Sequence, residues 1–450
     1  MTAVKETPGI FLSHFTRLEE KLGRESAWLH KVRKDAIGRF AALGFPTTRL
    51  EEWKYTNVAP IVRIPFRAVE FRWDGLAKER ISELPLAHSA FSECCSRIVF
   101  VNGHYSPQLS SPDLPEGLVI GSIGSAIKQN TPRVKEHLAK HADYENHAFV
   151  ALNTAFLEDG AFIEIPSGVT LDAPIYILFV STADEPIACH PRSLIIVGDN
   201  SQAGIIEEYI ALGEQTYFTN AVTEIVAGEN SLVEHYKLQA ENEAAFHVST
   251  VQVSQARSSV VTSHSISFGG ALVRNDVNVL LNGEGAECTL NGLYISSKDQ
   301  HVDNHTVIDH IKPHCSSREL YKGILDDQSS AVFNGSIIVR KDAQKTDARQ
   351  SNKNLLLSEG ATINSKPQLE INADDVKCSH GTSIGHLDED SIYYLRSRGI
   401  GLTEARTVLT YGFANDVLNR MKLDAVRVRL ECALLAQLSG GHAQVQMEES

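Results

Sequence analysis

The sequence predicts a mainly β protein, with a core of stacked short strands and helical regions at both ends. From about residue 160 to 387, short runs of Val, Ile, Phe and Tyr alternate with small polar turns. Similar turns recur along this stretch at spacings near 30 residues, as in repeat architectures. Before and after it, apolar residues recur with the period of a helix.

Composition and charge narrow the class of protein. The chain has 450 residues, 42% hydrophobic and 22% charged, which is ordinary for a globular protein of two or three units. The net charge is -14 and no dense run of Lys or Arg occurs, so nucleic acid is not an expected partner. No signal-peptide pattern and no apolar run of roughly 20 residues is found, so we expect a cytoplasmic protein without membrane contact.

The cysteines do not resemble a disulfide framework. There are seven, an odd number, and they are scattered along a long chain, so we expect reduced thiols. Cys94 and Cys95 are adjacent, and we interpret them as buried residues without chemistry.

Residues 1–159 are assigned to an N-terminal region of helices mixed with short strands. Apolar residues between 11 and 43 follow the 3.6-residue helical period. The segment TTRLEEWKYTNV then begins with Thr48, which with the glutamates downstream resembles a helix-start signal. Trp53 and Tyr55 in this segment are expected to pack against the rest of the protein.

Residues 160–387 are assigned to a β-helix core. The turns GDNSQA, GENSLV, ARSSVV and GEGAEC begin at 198, 228, 256 and 283, which are 30, 28 and 27 residues apart, and DDQSSAVF at 326 and SEGATIN at 358 extend the series with gaps of 43 and 32. Repeats of this length fit stacked coils. A β-sandwich is the alternative, but so long a stretch of strands would overfill one sandwich. The absence of helical patterns between strands argues against a βαβ sheet.

Residues 388–450 are assigned to a helical C-terminal region. Asp388 or Ser391 can cap its first helix, and Thr403 can cap its second. We expect the apolar stripe of the second helix to face the core, with a partner-binding face as the alternative. The stripe consists of Ala405, Val408, Leu409, Gly412, Phe413 and Val417.

Several common enzyme signatures are missing. The sequence has no GxxxxGK[ST] loop, GxGxxG, GxSxG, HExxH or CxxC motif. We therefore expect no nucleotide bound by this chain, and an independent enzyme is not expected.

One group of possible metal ligands lies in HVDNHTVIDHIKPHC. On a strand, His301, Asp303 and His305 would share one face and form a 2-His-1-carboxylate site for iron or zinc, as in a metalloenzyme built on a β-helix. We favour the alternative, a hydrogen-bonded polar ladder between stacked coils. No role is assigned to the residues that follow in this group, Asp309, His310, His314 and Cys315.

The second group is Cys378-Ser379-His380. On an extended strand, Cys378 and His380 point to one face, and a thiolate with an imidazole suits zinc or the iron of a cluster. A neighbouring imidazole can also lower the pKa of a thiol. Two ligands are half of a tetrahedral site, so a partner would supply the others. By spacing alone, the favoured interpretation is a buried cysteine beside a surface histidine, because the C-x-H pattern is short and common.

Longer strings around these residues resemble a known family. They are KPQLEINADDVKCSHG, TTRLEEWKYTNV, DNHTVIDH and RELYKGILDDQSSAVFNG. Together they resemble the SufB/SufD family of iron-sulfur cluster assembly proteins, and the DDVxCSHG run is similar to the SufD branch rather than the SufB branch. The resemblance covers nearly the whole chain. It implies a right-handed parallel β-helix core flanked by helical N-terminal and C-terminal regions.

The resemblance also implies a role in the SufBCD scaffold complex. Such chains pair with a SufB-like paralogue through their β-helices, and a SufC-like ABC ATPase docks on the C-terminal helical region. A cysteine desulfurase system supplies sulfur, and a nascent cluster, later passed to targets, forms at the interface of the two paralogues. Matched residue by residue, Cys378 and His380 would bind that transient iron-sulfur cluster. Two further hypotheses are a purely structural subunit and, for the isolated chain, a homodimer through the shared pseudo-twofold surface.

Overall fold

The computed structural model describes residues 9–22, 26–68, 96–111, 117–182 and 185–438. Cys94 and Cys95, expected to be buried, lie outside these residues. The described helices are α1 (Gly9–Leu22), α2 (Ala27–Leu43), α3 (Ala59–Arg63), α4 (Ile123–Lys128), α5 (Pro132–His137), α6 (Ala148–Ala155), α7 (Glu389–Ser397), α8 (Leu402–Leu418) and α9 (Asp424–Leu438). In this part of the chain no helix is long and apolar enough to cross a bilayer.

The described strands occupy most of the chain between α3 and α7. They are β1 (Arg67–Ala68), β2 (Arg97–Val101), β3 (His104–Tyr105), β4 (Val119–Ser122), β5 (Ala161–Ile165), β6 (Ile175–Ser181), β7 (Ile187–Cys189), β8 (Arg192–Val197), β9 (Gln202–Ala211), β10 (Phe218–Ala227), β11 (Leu232–Ala240), β12 (Phe246–Gln255), β13 (Val260–Phe268), β14 (Leu272–Leu281), β15 (Glu287–Ser296), β16 (His301–His310), β17 (Ser316–Leu325), β18 (Ser330–Val339), β19 (Asp347–Leu356), β20 (Thr362–Ile371) and β21 (Lys377–Gly385).

These strands form two long sheets between which the chain alternates. The first sheet has the order β20-β18-β16-β14-β12-β10-β8-β5-β4, and the second has the order β21-β19-β17-β15-β13-β11-β9-β6-β2-β3. From β8 onward, each strand of a sheet pairs in parallel with the strand one full coil later. This topology is a parallel β-helix of about eight turns, which confirms the predicted fold class.

A row of aliphatic side chains stacks from coil to coil inside the lumen of the β-helix. In-register pairing aligns one such row through seven strands of the first sheet: Ile163, Ile195, Ile225, Val253, Val279, Ile308 and Ile337. All seven are buried. Burying each of these side chains contributes roughly 1.5–3 kcal/mol, so this row is a major source of the stability of the coils.

The turns predicted at 198, 228, 256 and 283 form one corner of the β-helix, immediately before strands of the second sheet. Asn200, Asn230 and Ser258 adopt the left-handed backbone conformation there, with φ of 54°, 55° and 53°. Asn and Ser tolerate this conformation because their short polar side chains bond locally. The backbone N–H of Asn200 donates to Glu229 O at 2.8 Å, so each corner is tied to the next coil.

The prediction was wrong to place the last two turns of the series with the turns of this corner. DDQSSAVF and SEGATIN precede β18 and β20 of the first sheet, and so they belong to a different corner. The first corner continues instead at His314 and Lys345, with φ of 60° and 63°. Neither residue is an Asn, Ser or Gly like those of the earlier turns, which explains why the series seemed to jump by 43 residues.

The N-terminal helices cover the outer face of the first sheet. Phe11 and Phe40 of α1 and α2 pack with α6 and with Phe218 of β10. The helix predicted to begin near Thr48 does not form. The segment makes only a 3-10 turn at Glu51–Trp53.

The packing prediction for the TTRLEEWKYTNV segment is right for one of its two large aromatic residues. Trp53 is buried, as predicted. Tyr55, two residues later, is 46% exposed and lies beside Lys54, so its predicted packing is wrong.

The C-terminal helices α8 and α9 pack on the outer face of the second sheet. Leu418, Leu430 and Leu434 join Tyr236 and Leu293 in one buried cluster. This contact confirms that part of the predicted helical tail faces the core.

The details of the tail differ from the prediction at two points. Asp388 caps α7 by accepting a hydrogen bond from Ser391 N at 3.2 Å, whereas α8 begins after Gly401 and not at Thr403. In the predicted stripe of α8, Ala405 and Val417 are buried but Val408 and Gly412 are exposed. The buried side of α8 is completed by Thr410, Ala414 and Leu418.

Candidate functional site

The group His301, Asp303 and His305 lies on β16, on the outer face of the first sheet. The alternate residues Val302 and Ile308 point into the lumen core. His305 Nε2 is 3.0 Å from Asp303 Oδ1, so strand geometry does bring the predicted side chains together.

Asp303 is nevertheless committed to other partners. Arg274 Nη1 lies 2.7 Å from Asp303 Oδ2, and the Thr56 hydroxyl donates to the same oxygen. Although burial opposes it, the charges of Arg274 and His305 hold the pKa of Asp303 well below its usual range. His301 is likewise bonded, to the Thr56 hydroxyl at 2.9 Å and to Ser330 Oγ at 2.7 Å.

These contacts attach the TTRLEEWKYTNV segment to the β-helix. Arg274 also donates to Glu52 O at 2.7 Å, and its guanidinium lies 3.8 Å from the centre of the Trp53 ring. Within the described ranges, no group of three His, Cys, Asp or Glu residues is arranged to hold a metal ion. The polar-contact interpretation is therefore favoured over the metalloenzyme, although the contacts join a segment to a coil rather than forming a ladder.

The other residues of this group are dispersed. His310 points into the lumen and its Nε2 is 2.9 Å from Ser317 Oγ. Asp309 pairs with Arg340 at 2.8 Å. His314 is a corner residue, and Cys315 is buried with its thiol donating to Gly283 O.

Cys378 and His380 lie on β21, the last strand of the second sheet. They pair in register with Ala348 and Gln350 of β19, and both of those residues are buried in the lumen. Cys378 and His380 therefore share the face that continues the lumen, as the i, i+2 spacing predicts.

The two side chains differ in exposure. Cys378 is half-buried against a small apolar cluster that includes Val339 and Ala348, whereas His380 is exposed. Burial raises the pKa of the Cys378 thiol.

The end of the β-helix that carries these residues is open. β20 and β21 are the last strands of their sheets, and within the described chain neither has a partner on its outer side. At the other end, each sheet finishes in a short antiparallel strand, β4 paired with β5 and β3 paired with β2. Cys378 and His380 thus sit on an unpaired sheet edge, at the mouth of the lumen.

Comparison with known proteins supports a single family. A profile described as the SufBD core domain of SUF system FeS cluster assembly matches residues 179–413, and one described as the SufBD protein N-terminal region matches residues 7–177. The chain belongs to the SufBD family. The resemblance stated from the sequence is confirmed.

Three relatives illustrate how far the SufBD similarity extends. An iron-sulfur cluster assembly SufBD family protein of Synechocystis is 35% identical over 419 residues, 91% of each chain. The iron-sulfur cluster assembly protein SufD of Escherichia coli is 31% identical over 401 residues, covering 88% of this chain and 90% of the relative. The Bacillus subtilis protein of the same name is 25% identical over 420 residues, or 90% and 93%.

Sequence reasoning missed the open end of this SufBD chain. No local signal marks it, because β20 keeps Ile363, Leu369 and Ile371 on its inward face, as many aliphatic residues as earlier strands have there. It also missed Glu319 and Gln350, buried polar residues stacked beneath His380, whose positions depend on a register that the sequence does not reveal.

Proposed function

We propose that this chain is a SufD-like scaffold subunit, and that Cys378 and His380 bind a nascent iron-sulfur cluster at its interface with a SufB-like paralogue. The observation that carries this proposal is the position of both residues on an unpaired strand at the open end of the β-helix. The chain acts by holding and releasing the cluster, which is its cargo, rather than by a catalytic reaction of its own.

The donor atoms fit such a cargo. Thiolate sulfur and imidazole nitrogen are both ligands of cluster iron. Cys378 and His380 are on one face of one strand, but in the described residues no third ligand joins them. An incomplete set on one chain requires ligands from the other chain, and separating the two chains would then release the cluster.

The open end also fits a partner of the same fold. Unpaired edge strands present free N–H and C=O groups and are normally covered. Ile371 of β20 and Ile384 of β21 are 43% and 51% exposed, so this edge carries apolar side chains as well. A paralogous β-helix with an equivalent edge would cover both features, because related chains can share a pseudo-twofold interface.

The C-terminal region, from residue 388, is proposed to dock a SufC-like ABC ATPase. Tyr393 and Tyr394 of α7 are 75% and 58% exposed, and Leu402 and Val408 of α8 are 48% and 52% exposed. Exposed aromatic and aliphatic side chains on neighbouring helices mark a protein-binding surface. ATP binding by the partner could move the two β-helices, provided that the ATPase favours one arrangement over the other. Sulfur would come from a cysteine desulfurase acting on the complex.

Anaerobic reconstitution of the complex tests the assignment of the ligands. We expect that Cys378→Ser combined with His380→Ala abolishes the cluster absorption, because both proposed ligands of this chain are lost. Ser379→Ala is the matched control, since Ser379 points to the opposite face of the same strand. Size and mass of each complex must be measured in parallel. Normal cluster formation by the double variant in an intact complex would show that this chain is a structural subunit.

A further inference from the structure

Two buried polar side chains lie in the lumen directly below His380. Register pairing stacks His380 on Gln350 of β19, and Gln350 on Glu319 of β17. Gln350 and Glu319 are each only 4% exposed. Paired residues on neighbouring strands are about 4.8 Å apart, so inward side chains in such a column are within reach of one another.

The amide of Gln350 is held in one orientation. Its Nε2 donates to Glu319 Oε2 at 2.7 Å. On the facing sheet, Gly335 makes room for this nitrogen, because a Cβ at that position would lie 2.2 Å from Gln350 Nε2. The amide nitrogen is thus directed to the coil below, which turns the amide oxygen away from that coil.

That amide oxygen has no hydrogen-bond partner among the residues that the structure describes, although it is buried. Leaving a buried carbonyl oxygen unpaired costs about 1–3 kcal/mol, so a donor that reaches this oxygen would stabilise the terminal coil. A ring N–H of His380, the next residue in the column, is a donor of the required kind.

We propose that Gln350 is a positioning residue for His380. Its Oε1 accepts a hydrogen bond from one ring nitrogen of His380, which fixes the tautomer and leaves the other nitrogen unprotonated and free to bind iron. Histidine ligands commonly donate their second ring N–H to such a group. This inference rests on the proposed function of His380 and names the residue that orients it.

Ring-nitrogen NMR of the full chain, labelled with ¹⁵N-histidine and free of iron, tests the proposal. The signals of His380 are identified by their loss in His380→Ala. In the unsubstituted chain we expect one tautomer of His380 to predominate. In Gln350→Leu, which removes the acceptor at similar volume, the tautomer ratio should change about fivefold, the effect of one hydrogen bond.

Two further variants make the test specific. Asn352→Leu removes another buried lumen amide from the same strand, one that stacks beneath Thr382, and it should leave the His380 ratio unchanged. Gly335→Ala displaces the Gln350 amide without removing it and should reproduce the effect of Gln350→Leu. Gly335→Ala also provides the decisive result if Gln350→Leu does not fold, as judged by thermal unfolding.

An unchanged His380 ratio in a folded Gln350→Leu chain would overturn the proposal. An equal change in Asn352→Leu would also overturn it, because the effect would then be a general disturbance of the terminal coils. Since the measurement uses no iron, it is independent of the reconstitution test. A tautomer shift together with normal clusters in the absence of His380 would refute the proposed function alone.

Discussion

At the scale of single residues, Asp303 is the charge on which the attachment of the TTRLEEWKYTNV segment depends. It is buried, paired with Arg274, and accepts a hydrogen bond from Thr56. Removing one member of a buried ion pair leaves the other charge desolvated and uncompensated. The cost of such a change is usually larger than the net value of the pair.

We predict that Asp303→Asn lowers the free energy of unfolding by about 2–3 kcal/mol, at the lower end for a buried pair because Asp276 still contacts Arg274. Chemical unfolding followed by tryptophan fluorescence measures this change, and one of the tryptophans, Trp53, stacks on Arg274 at the site. Asp375→Asn is the control, since the ion pair of Asp375 with Lys345 is exposed and should contribute less than about 1 kcal/mol. Equal unfolding midpoints for the two variants would contradict the buried-pair interpretation.

The raised pKa of Glu319 leads us to predict that the stability of the fold depends on pH. Burial raises its pKa to about 7 from an ordinary value of 4.5. The folded state therefore prefers the protonated carboxyl, and this stabilisation, complete below pH 4.5, is lost as the pH rises through about 7.

Glu319→Gln, which cannot ionise, should accordingly gain stability relative to the unsubstituted chain as the pH rises. The difference in unfolding free energy between the two should be about 2 kcal/mol larger at pH 8 than at pH 5. Urea unfolding at the two pH values measures it. A difference that stays constant with pH would show that Glu319 is not the titrating group.

At the scale of elements, the corner turns show what the sequence could and could not reveal. Asn200, Asn230 and Ser258 were recognisable because Asn, Ser and Gly favour the left-handed conformation. His314 and Lys345 occupy the same conformation at the same corner, yet neither is one of the residue types by which the earlier turns were recognised. There the hydrogen bonds between coils override local preference, and only the three-dimensional structure shows the turn.

Asn230→Val should lower the unfolding free energy by about 1–2 kcal/mol, because a β-branched residue is strained at a φ of 55°. Asn230→Gly, which relieves this strain, should leave stability nearly unchanged. Thermal unfolding of both variants measures the difference. Similar losses in the two would assign the effect to the Asn side chain instead of the backbone.

The terminal strand illustrates the same limit for the candidate site. The spacing of Cys378 and His380 was enough to predict that they share a face. It could not predict that the face continues the lumen, or that Gln350 lies beneath His380, because both depend on pairing with a strand some 30 residues earlier. Pairing between distant segments is set by the stacked core, not by local sequence.

At the scale of the whole molecule, the open end is the surface that we propose for association with a partner. If a paralogue covers this end, Ile384→Lys should weaken the complex strongly, because it places a charge on an apolar edge. Light scattering with direct mass measurement, for the chain alone and mixed with the paralogue, tests this. A homodimer of the isolated chain should be weakened by the same substitution.

Leu232→Lys serves as the control for that experiment. Leu232 is 45% exposed at the start of β11, several coils away from the open end. It should leave both assemblies intact. If both lysine substitutions had equal effects on mass, the open end would not be the interface.

The unequal ends of the β-helix also limit how far such a column can grow. One end stops in antiparallel strands of only four and two residues, which offer little edge for further pairing. The other end is long, parallel and open. If the open end is the interface that we propose, a chain that joins one neighbour there has no long edge left for another, and assembly would stop at a pair without forming open-ended fibres.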